Sequence, residues 1–383
     1  THVATATVYS STMLSEANSL VDIVPKQSKQ LASNYLAQRT LSDQTEQSPS
    51  SVSRDESDSR TRSPGSSIDA LRILARAEFN LGNQHIALQH LAEAKGLATK
   101  YNLPFLKLDL QLLDIRMRWL MSGDSRAALS ALDDWQTSFE QIQNPQQLAR
   151  GLQYKMTMLK ADIASVDGLS SKAESLYQIA KAHADESKSN YTSIQFHTTL
   201  GKHYLANKQY NLALSELLLS YWKAIESDSG ILLAEVNRTL GQLFYERRVL
   251  DKASEHLSQA ADFYDNYENS PLLAPTLKRI GDINYDQGKY NLALVHYFNA
   301  MDHERIQSNV ESVIDIRISL AATYLHLVNY PLAEQYLDRA QTLLEYADIP
   351  RLKAHALLLE AGLASYKQNA DAVLSNAQQA LTI

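Results

Sequence analysis

The sequence predicts an all-α protein built as a solenoid of repeated helix pairs. Three observations predict it. Gly (12) and Pro (9) are scarce for a chain of 383 residues, at about half their usual share of roughly 7% and 5%, and a sheet protein needs both at its many turns. Good helix formers (Ala, Leu, Gln, Glu, Lys) dominate from Ile68 onward. A small residue recurs at a fixed spacing of forty, at Gly201, Gly241, Gly281 and Ala321, with Ala161 one step back and Ala361 one step on.

From the N-terminus, residues 1–10 are β-branched and polar and read as a loose end. Helical spacing begins near Ser11: Met13, Leu14, Ala17, Leu20 and Val21 place one apolar stripe on a helix. Pro25 breaks this helix and starts a second, lined by Leu31, Ala32, Tyr35, Leu36 and Leu41. Residues 1–41 therefore read as an N-terminal helical hairpin, an atypical capping repeat. Residues 42–67 differ in kind. Ten of these 26 residues are Ser and most of the rest are charged or polar, so little is available to offset the entropy of ordering them; the segment reads as a disordered linker or long loop. Residues 68–383 read as an array of about eight helix pairs.

Within the array the pattern is one of close packing. Leu200-Gly201, Tyr204, Ala213 and Leu217 recur as Leu240-Gly241, Phe244, Ala253 and Leu257, as Ile280-Gly281, Ala293 and Tyr297, and as Leu320-Ala321, Tyr324, Ala333 and Leu337. Gly or Ala on one helix opposite Ala on the next lets two backbones approach. The turn between the paired helices carries Gly82, Gly123, Gly168 and Gly288, where a positive φ is useful. Two earlier units align less strictly, around Ala87/Leu91/Ala94 and Ala128/Leu132/Trp135. One pair cannot bury its apolar face alone, so the pairs stack.

Charge and cofactor chemistry are narrowed by what is missing. The net charge is −7 and the pI about 5.9, with no Lys/Arg cluster to neutralise a row of phosphates, so nucleic acid is not an expected direct partner. There is no cysteine, which removes disulfides, thiolate metal sites and thiol catalysis. Neither His197/His203 nor His296/His303 has the i, i+4 spacing of paired metal ligands, and no phosphate-binding glycine loop or nucleophile elbow occurs. The chain reads as a non-enzyme with no cofactor and no metal. No apolar run approaches the roughly 18 residues of a membrane span. The chain begins at Thr1 without a basic leader and reads as a processed or excised segment, compatible with an anchor outside it.

The order Leu-Gly, aromatic at +3, Ala at +12, Leu or Tyr at +16 and Ala at +19 resembles the tetratricopeptide repeat. Residues 195–345 carry the likeness best; the forty-residue period departs from the family's 34. The resemblance implies a right-handed α–α superhelix whose first helices line a concave groove for a protein or peptide partner. Carried over by position, the groove residues are Lys202, Arg238, Gln242, Tyr245, Lys278, Arg279, Asp282 and Tyr285. The family's carboxylate clamp is matched loosely by Arg238, Gln242 and Arg279, but Asp315 and Ser319 stand where it has Lys and Arg. Arg238, Lys278 and Arg279 place positive charge on an acidic chain and suggest an anionic group on the ligand; pairing with Glu235 and Asp282 is the competing reading. The N-terminal hairpin resembles the leading unit of extracytoplasmic repeat regions in bacterial diguanylate cyclases and histidine kinases. The expectation is a periplasmic sensor or input region of a signalling protein. The alternatives are a cytoplasmic peptide-responsive transcriptional regulator region and a stand-alone assembly or chaperone adaptor. The oligomeric state is left open by the sequence.

Overall fold

The structure is a computed structural model and describes residues 13–22, 24–45, 64–142, 146–186, 189–267, 270–307 and 309–383. These residues form α-helices, and no strand occurs among them. The chain divides into two compact units, Thr1–Gln209 and Tyr210–Ile383.

The first unit opens with α1 (residues 13–20) and α2 (Pro25–Thr45). It continues through α3 (Pro64–Asn80), α4 (Gln84–Lys100), α5 (Pro104–Ser122), α6 (Ser125–Glu140), α7 (Gln146–Val166), α8 (Ser170–Glu186) and α9 (Asn190–Ala206). Met13, Ala17, Leu20 and Val21 are buried as the apolar stripe requires, and Ala17, Val21 and Ala32 share a core with Ile68 and Leu71 of α3. Polar contacts fix the hairpin on the array. Lys29 pairs with the buried Glu78 at 2.8 Å, Arg76 with Asp22 at 2.7 Å, and Asn80 Nδ2 donates to the Val21 carbonyl at 2.9 Å. Two ends of the segment expected as a linker are helical: residues 42–45 continue α2 and residues 64–67 open α3, where Pro64 suits a first helical position. Residues 46–63, like the loose end expected at 1–10, lie outside the described residues.

The second unit opens with α10 (Tyr210–Glu226) and continues as four hairpins: α11 (Gly230–Glu246) with α12 (Leu250–Asp265), α13 (Leu273–Asp286) with α14 (Tyr290–Gln307), α15 (Val310–His326) with α16 (Tyr330–Leu344), and α17 (Pro350–Tyr366) with α18 (Ala370–Thr382). The forty-residue pattern is the core. Ala253, Ala293 and Ala333 are 0% exposed, and Leu257, Tyr297 and Leu337 are 2% exposed. A Cβ placed on Gly241 would stand 2.8 Å from Leu257 Cδ2 and 3.2 Å from the Ala253 carbonyl oxygen; on Gly281 it would stand 2.5 Å from Tyr297 Cε1. Real Cβ atoms do not approach so closely, so these glycines mark the crossings where first and second helices touch.

The turn after each first helix is also periodic, beyond what its glycines reveal. Gly168 and Gly288 have positive φ, and so do Lys208, Arg248, Val328 and Gln368 at the intervening forty-residue steps. The following N–H closes the helix end, as Val249 N donates to the Phe244 carbonyl at 2.9 Å, a six-to-one bond that requires the left-handed residue. Four of these six turns therefore hold an L side chain in a conformation it resists, and β-branched Val328 resists it most.

Two outcomes are expected. Gly241→Leu lowers stability by about 1–3 kcal/mol or more through overpacking at the crossing; an unchanged melting temperature would put the crossing elsewhere. Val328→Gly raises stability by about 0.5–1 kcal/mol, the relief of left-handed strain less the extra freedom of Gly in the unfolded chain. Urea titration of both variants reads the two signs directly.

Candidate ligand-binding site

In the second unit the first helices α11, α13 and α15 meet through one polar network. Lys278 of α13 lies 3.1 Å from Asp282 one turn on and 2.9 Å from Asp315 of α15. Arg279 lies 3.2 Å from the same Asp282 carboxylate and over the Tyr245 ring of α11, 4.8 Å from its centroid. From the core side Tyr297 of α14 donates its hydroxyl to Asp282 Oδ1 at 2.9 Å. Asp282 is thus held by two cations and a buried phenol. Burial above all, then the Asp282 and Asp286 carboxylates, push the Tyr245 phenol up, so it stays a neutral hydroxyl beside the guanidinium.

The first unit holds a related arrangement. Asp109 of α5 pairs with Arg72 of α3 at 3.2 Å and with Lys155 of α7. Asp162 of α7 accepts from Tyr177 of α8 at 2.9 Å. Burial pushes the Asp162 carboxyl up, against the pull of Arg116, the Tyr177 hydrogen bond and Lys202.

The expected groove residues are therefore sorted by the structure. Tyr245, Lys278, Arg279 and Asp282 come together. Lys202 lies in the first unit, in the field of Asp162. Gln242 turns to Glu246 of its own helix at 2.8 Å. Tyr285 faces the turn end of the hairpin, edge-on to Tyr290 and His326 at 5.5 and 5.3 Å. Arg238 sits beside fully buried Tyr264, whose phenol burial pushes up to about 12. Neither Arg238 Nε nor the Tyr264 hydroxyl finds a hydrogen bond of good geometry. For two cations of the positive patch the competing reading of charge pairing is what the geometry favours: Lys278 and Arg279 are matched by Asp282 and Asp315, so this network is charge-balanced. Asp315, which counted against a carboxylate clamp, is one of its anchors.

Two partners were missed in the sequence although it carried a signal for them. Where the +16 position is Tyr, at Tyr177 and Tyr297, the residue after the small one is Asp, at Asp162 and Asp282; where it is Leu, at Leu217 and Leu257, that residue is Lys202 or Gln242. The same register explains an orphan. His256 Nδ1 bonds to Asn237 Oδ1 at 2.8 Å, but forty residues on Leu277 replaces Asn237, and His296 Nδ1 is buried without a partner. No group of three or more His, Asp or Glu among the described residues is arranged to hold a metal ion, and no described helix is long and apolar enough to cross a membrane.

No family model matches the chain, and no curated protein is detectably similar to it in sequence. Solved structures match it in fold. A Rap protein complexed with competence and sporulation factor matches over 98% of this chain and 97% of its own, with TM-score 0.54 and 11% identity. The apo form of the quorum sensor NprR from B. thuringiensis matches over 82% and 83%, with TM-score 0.54 and 14% identity. A signal-transduction ATPase with a tetratricopeptide repeat sensor from Pyrococcus horikoshii matches 84% of this chain and 50% of its own, with TM-score 0.64 and 12% identity. The fold is tetratricopeptide-like. At these identities the likeness is one of fold, and it agrees with the helix crossings at Gly241 and Gly281.

Acid should weaken this fold through its histidines. Burial holds the imidazoles of His203, His256, His296 and His355 below the ordinary 6.5. The unfolded chain then binds protons that the folded chain refuses, so stability is complete above pH 6.5 and falls as the pH drops through the folded values. Melting temperature should decline from about pH 7.5 to about pH 5.5, and His296→Met, which also removes the orphaned nitrogen, should shrink the decline. A flat profile over that range contradicts the burial of these rings.

Proposed function

We propose that the chain is a non-catalytic, peptide- or protein-binding tetratricopeptide-like module, serving as the input region of a signalling protein. The observation that carries this is the Tyr245–Arg279–Asp282–Lys278–Asp315 network. It joins neighbouring first helices, its side chains are part-exposed, and it is fixed from below by Tyr297. Rigid neighbours pre-organise such a surface. Balanced charge suits a peptide main chain with its alternating donors and acceptors better than it suits a single anionic group. Arg279, stacked on Tyr245, supplies a planar fork of donors for a ligand carbonyl or carboxylate.

The compartment has two readings. The likeness of the N-terminal hairpin to extracytoplasmic repeat regions supports a periplasmic sensor. The fold likeness to Rap and to the quorum sensor NprR supports a cytoplasmic peptide-responsive regulator. A reporter fused to the natural gene product and active only outside the cytoplasm separates them.

The binding test uses a peptide selected from a displayed library against the whole chain, measured by calorimetry. Lys278→Ala is a poor probe, because Asp315 (22% exposed) would lose its cation. Arg279→Ala leaves Asp282 with Lys278 and Tyr297. It should weaken the peptide at least tenfold, about 1.4 kcal/mol, with melting unchanged. Arg351→Ala, at a side chain 68% exposed, should leave affinity as it was. Equal affinities for parent and Arg279→Ala would move the site off these helices.

A further inference from the structure

Helix α10 has two apolar faces. Ala213, Leu217, Ser220 and Ala224 form the buried one. On the opposite side Leu212, Leu218, Leu219, Trp222 and Ile225 are 47%, 40%, 46%, 60% and 43% exposed. Leu recurs at the first of these positions, as Leu292 and Leu332, and Phe298 stands at the second, but the whole face does not recur: forty residues on, the same positions of α12 hold Lys252, Ser258, Gln259, Asp262 and Asp265. Single exposed apolar residues are ordinary, but five on one helix face form a contiguous patch that marks an interaction surface.

The geometry points to a second copy of this chain as the occupant, packed with its α10 antiparallel about a twofold axis between positions 218 and 219. The face is complementary to itself in that register. Leu218 meets Leu218 of the second copy on one side of the axis, and Leu219 meets Leu219 on the other. Trp222, the bulkiest group, stands over Ser215, the smallest exposed residue between the leucines, and Asn211 meets Glu226, the one charge at the edge of the face. Each pairing of unlike residues occurs twice, as an isologous contact requires. A parallel arrangement fails, because it sets Trp222 on Trp222 and Glu226 on Glu226. The absence of other charge on the face removes the like-charge repulsion that self-association usually meets.

The area sets the strength. With side-chain areas of roughly 150–250 Å², these exposures leave on the order of 400–500 Å² per chain. A pair would bury about 1,000 Å², near the lower limit for specific interfaces, so the dimer is weak and reversible, with micromolar affinity.

The test is sedimentation of the full chain over a concentration series, with cross-linking in its natural cysteine-free background. The parent should pass from monomer to dimer as concentration rises. Trp222→Glu should weaken the dimer at least tenfold while its circular dichroism matches the parent's. Leu218→Cys lies beside the axis and should form a disulfide-linked dimer on mild oxidation. Leu212→Cys should not, since in this register its two copies are about 20 Å apart along the helices. A parent monomeric up to about 100 µM, far above micromolar affinity, overturns the proposal and leaves the face to a partner of other sequence. A dimer untouched by Trp222→Glu, or Leu212→Cys linking as readily as Leu218→Cys, overturns it equally.

Discussion

The fold depends on how closely the two helices of a pair approach. At Gly241 and Gly281 the first helix has no side chain, and Leu257 or Tyr297 of the second occupies the space where a Cβ would be. That contact fixes both the distance between the helices and their register. Ala253 and Ala293, wholly buried, keep the second helix equally close. Once the crossing is set at Gly281, Asp282 one position on is committed to the strip shared with neighbouring first helices. The forty-residue spacing is therefore a packing constraint first and a functional pattern second.

The Asp–Tyr pairs show how this constraint reaches the surface. A Leu at the crossing ends in apolar contact. A Tyr in the same place is longer and its hydroxyl needs a partner when buried, and the next position on the first helix supplies one as Asp282 or Asp162. Burial and the nearby carboxylate both push these phenols up, so each remains a hydrogen-bond donor. The carboxylate in turn gathers Lys278 and Arg279, and Lys278 reaches Asp315 on the next pair. A core substitution at one position thus decides where charges sit on the strip two helices wide. Removing Lys278 would leave Asp315 part-buried without its cation, which makes that link of the network stiff and Lys278 a poor candidate for independent change.

The fold was readable in the sequence because its decisive residues are small, apolar and periodic. Gly201, Gly241, Gly281, Ala293 and Ala333 declare their register without any knowledge of distant contacts. The N-terminal hairpin was readable for the same reason, through Met13, Ala17, Leu20 and Pro25, and so were the four turns that use Gly. The turns at Lys208, Arg248, Val328 and Gln368 were not, since nothing in a Lys or a Val declares a left-handed backbone; the period forces it on them. The strip was legible only in part. Position alone grouped Tyr245, Lys278, Arg279 and Asp282, which the structure brings together. It could not show that Tyr285 turns to Tyr290 and His326, that Gln242 turns to Glu246, or that Asp315 completes the network, because rotamers and cross-helix partners are set by packing. Charge counted along the sequence suggested a positive site; charge counted in space is balanced.

The departures from the repeat are as informative as the repeat. A packing rule that holds at every crossing leaves the remaining positions free to differ between units, and three differences stand out. Leu277 replaces the partner that a buried imidazole has in the preceding pair, which leaves His296 Nδ1 orphaned. Asp315 replaces the cation that a carboxylate clamp would need and converts a positive site into a mixed one. The outer face of α10 is apolar where that of α12 is charged. The first of these weakens the fold: a buried ring nitrogen without a partner costs of the order of 1 kcal/mol or more. Neither of the other two is required by the crossings at Gly241 or Gly281. Features that the packing does not demand, on surfaces it holds rigid, are where a solenoid differs from its neighbours in what it binds, and in this chain they fall on two separate surfaces: the ion-paired strip of the first helices and the outer side of α10.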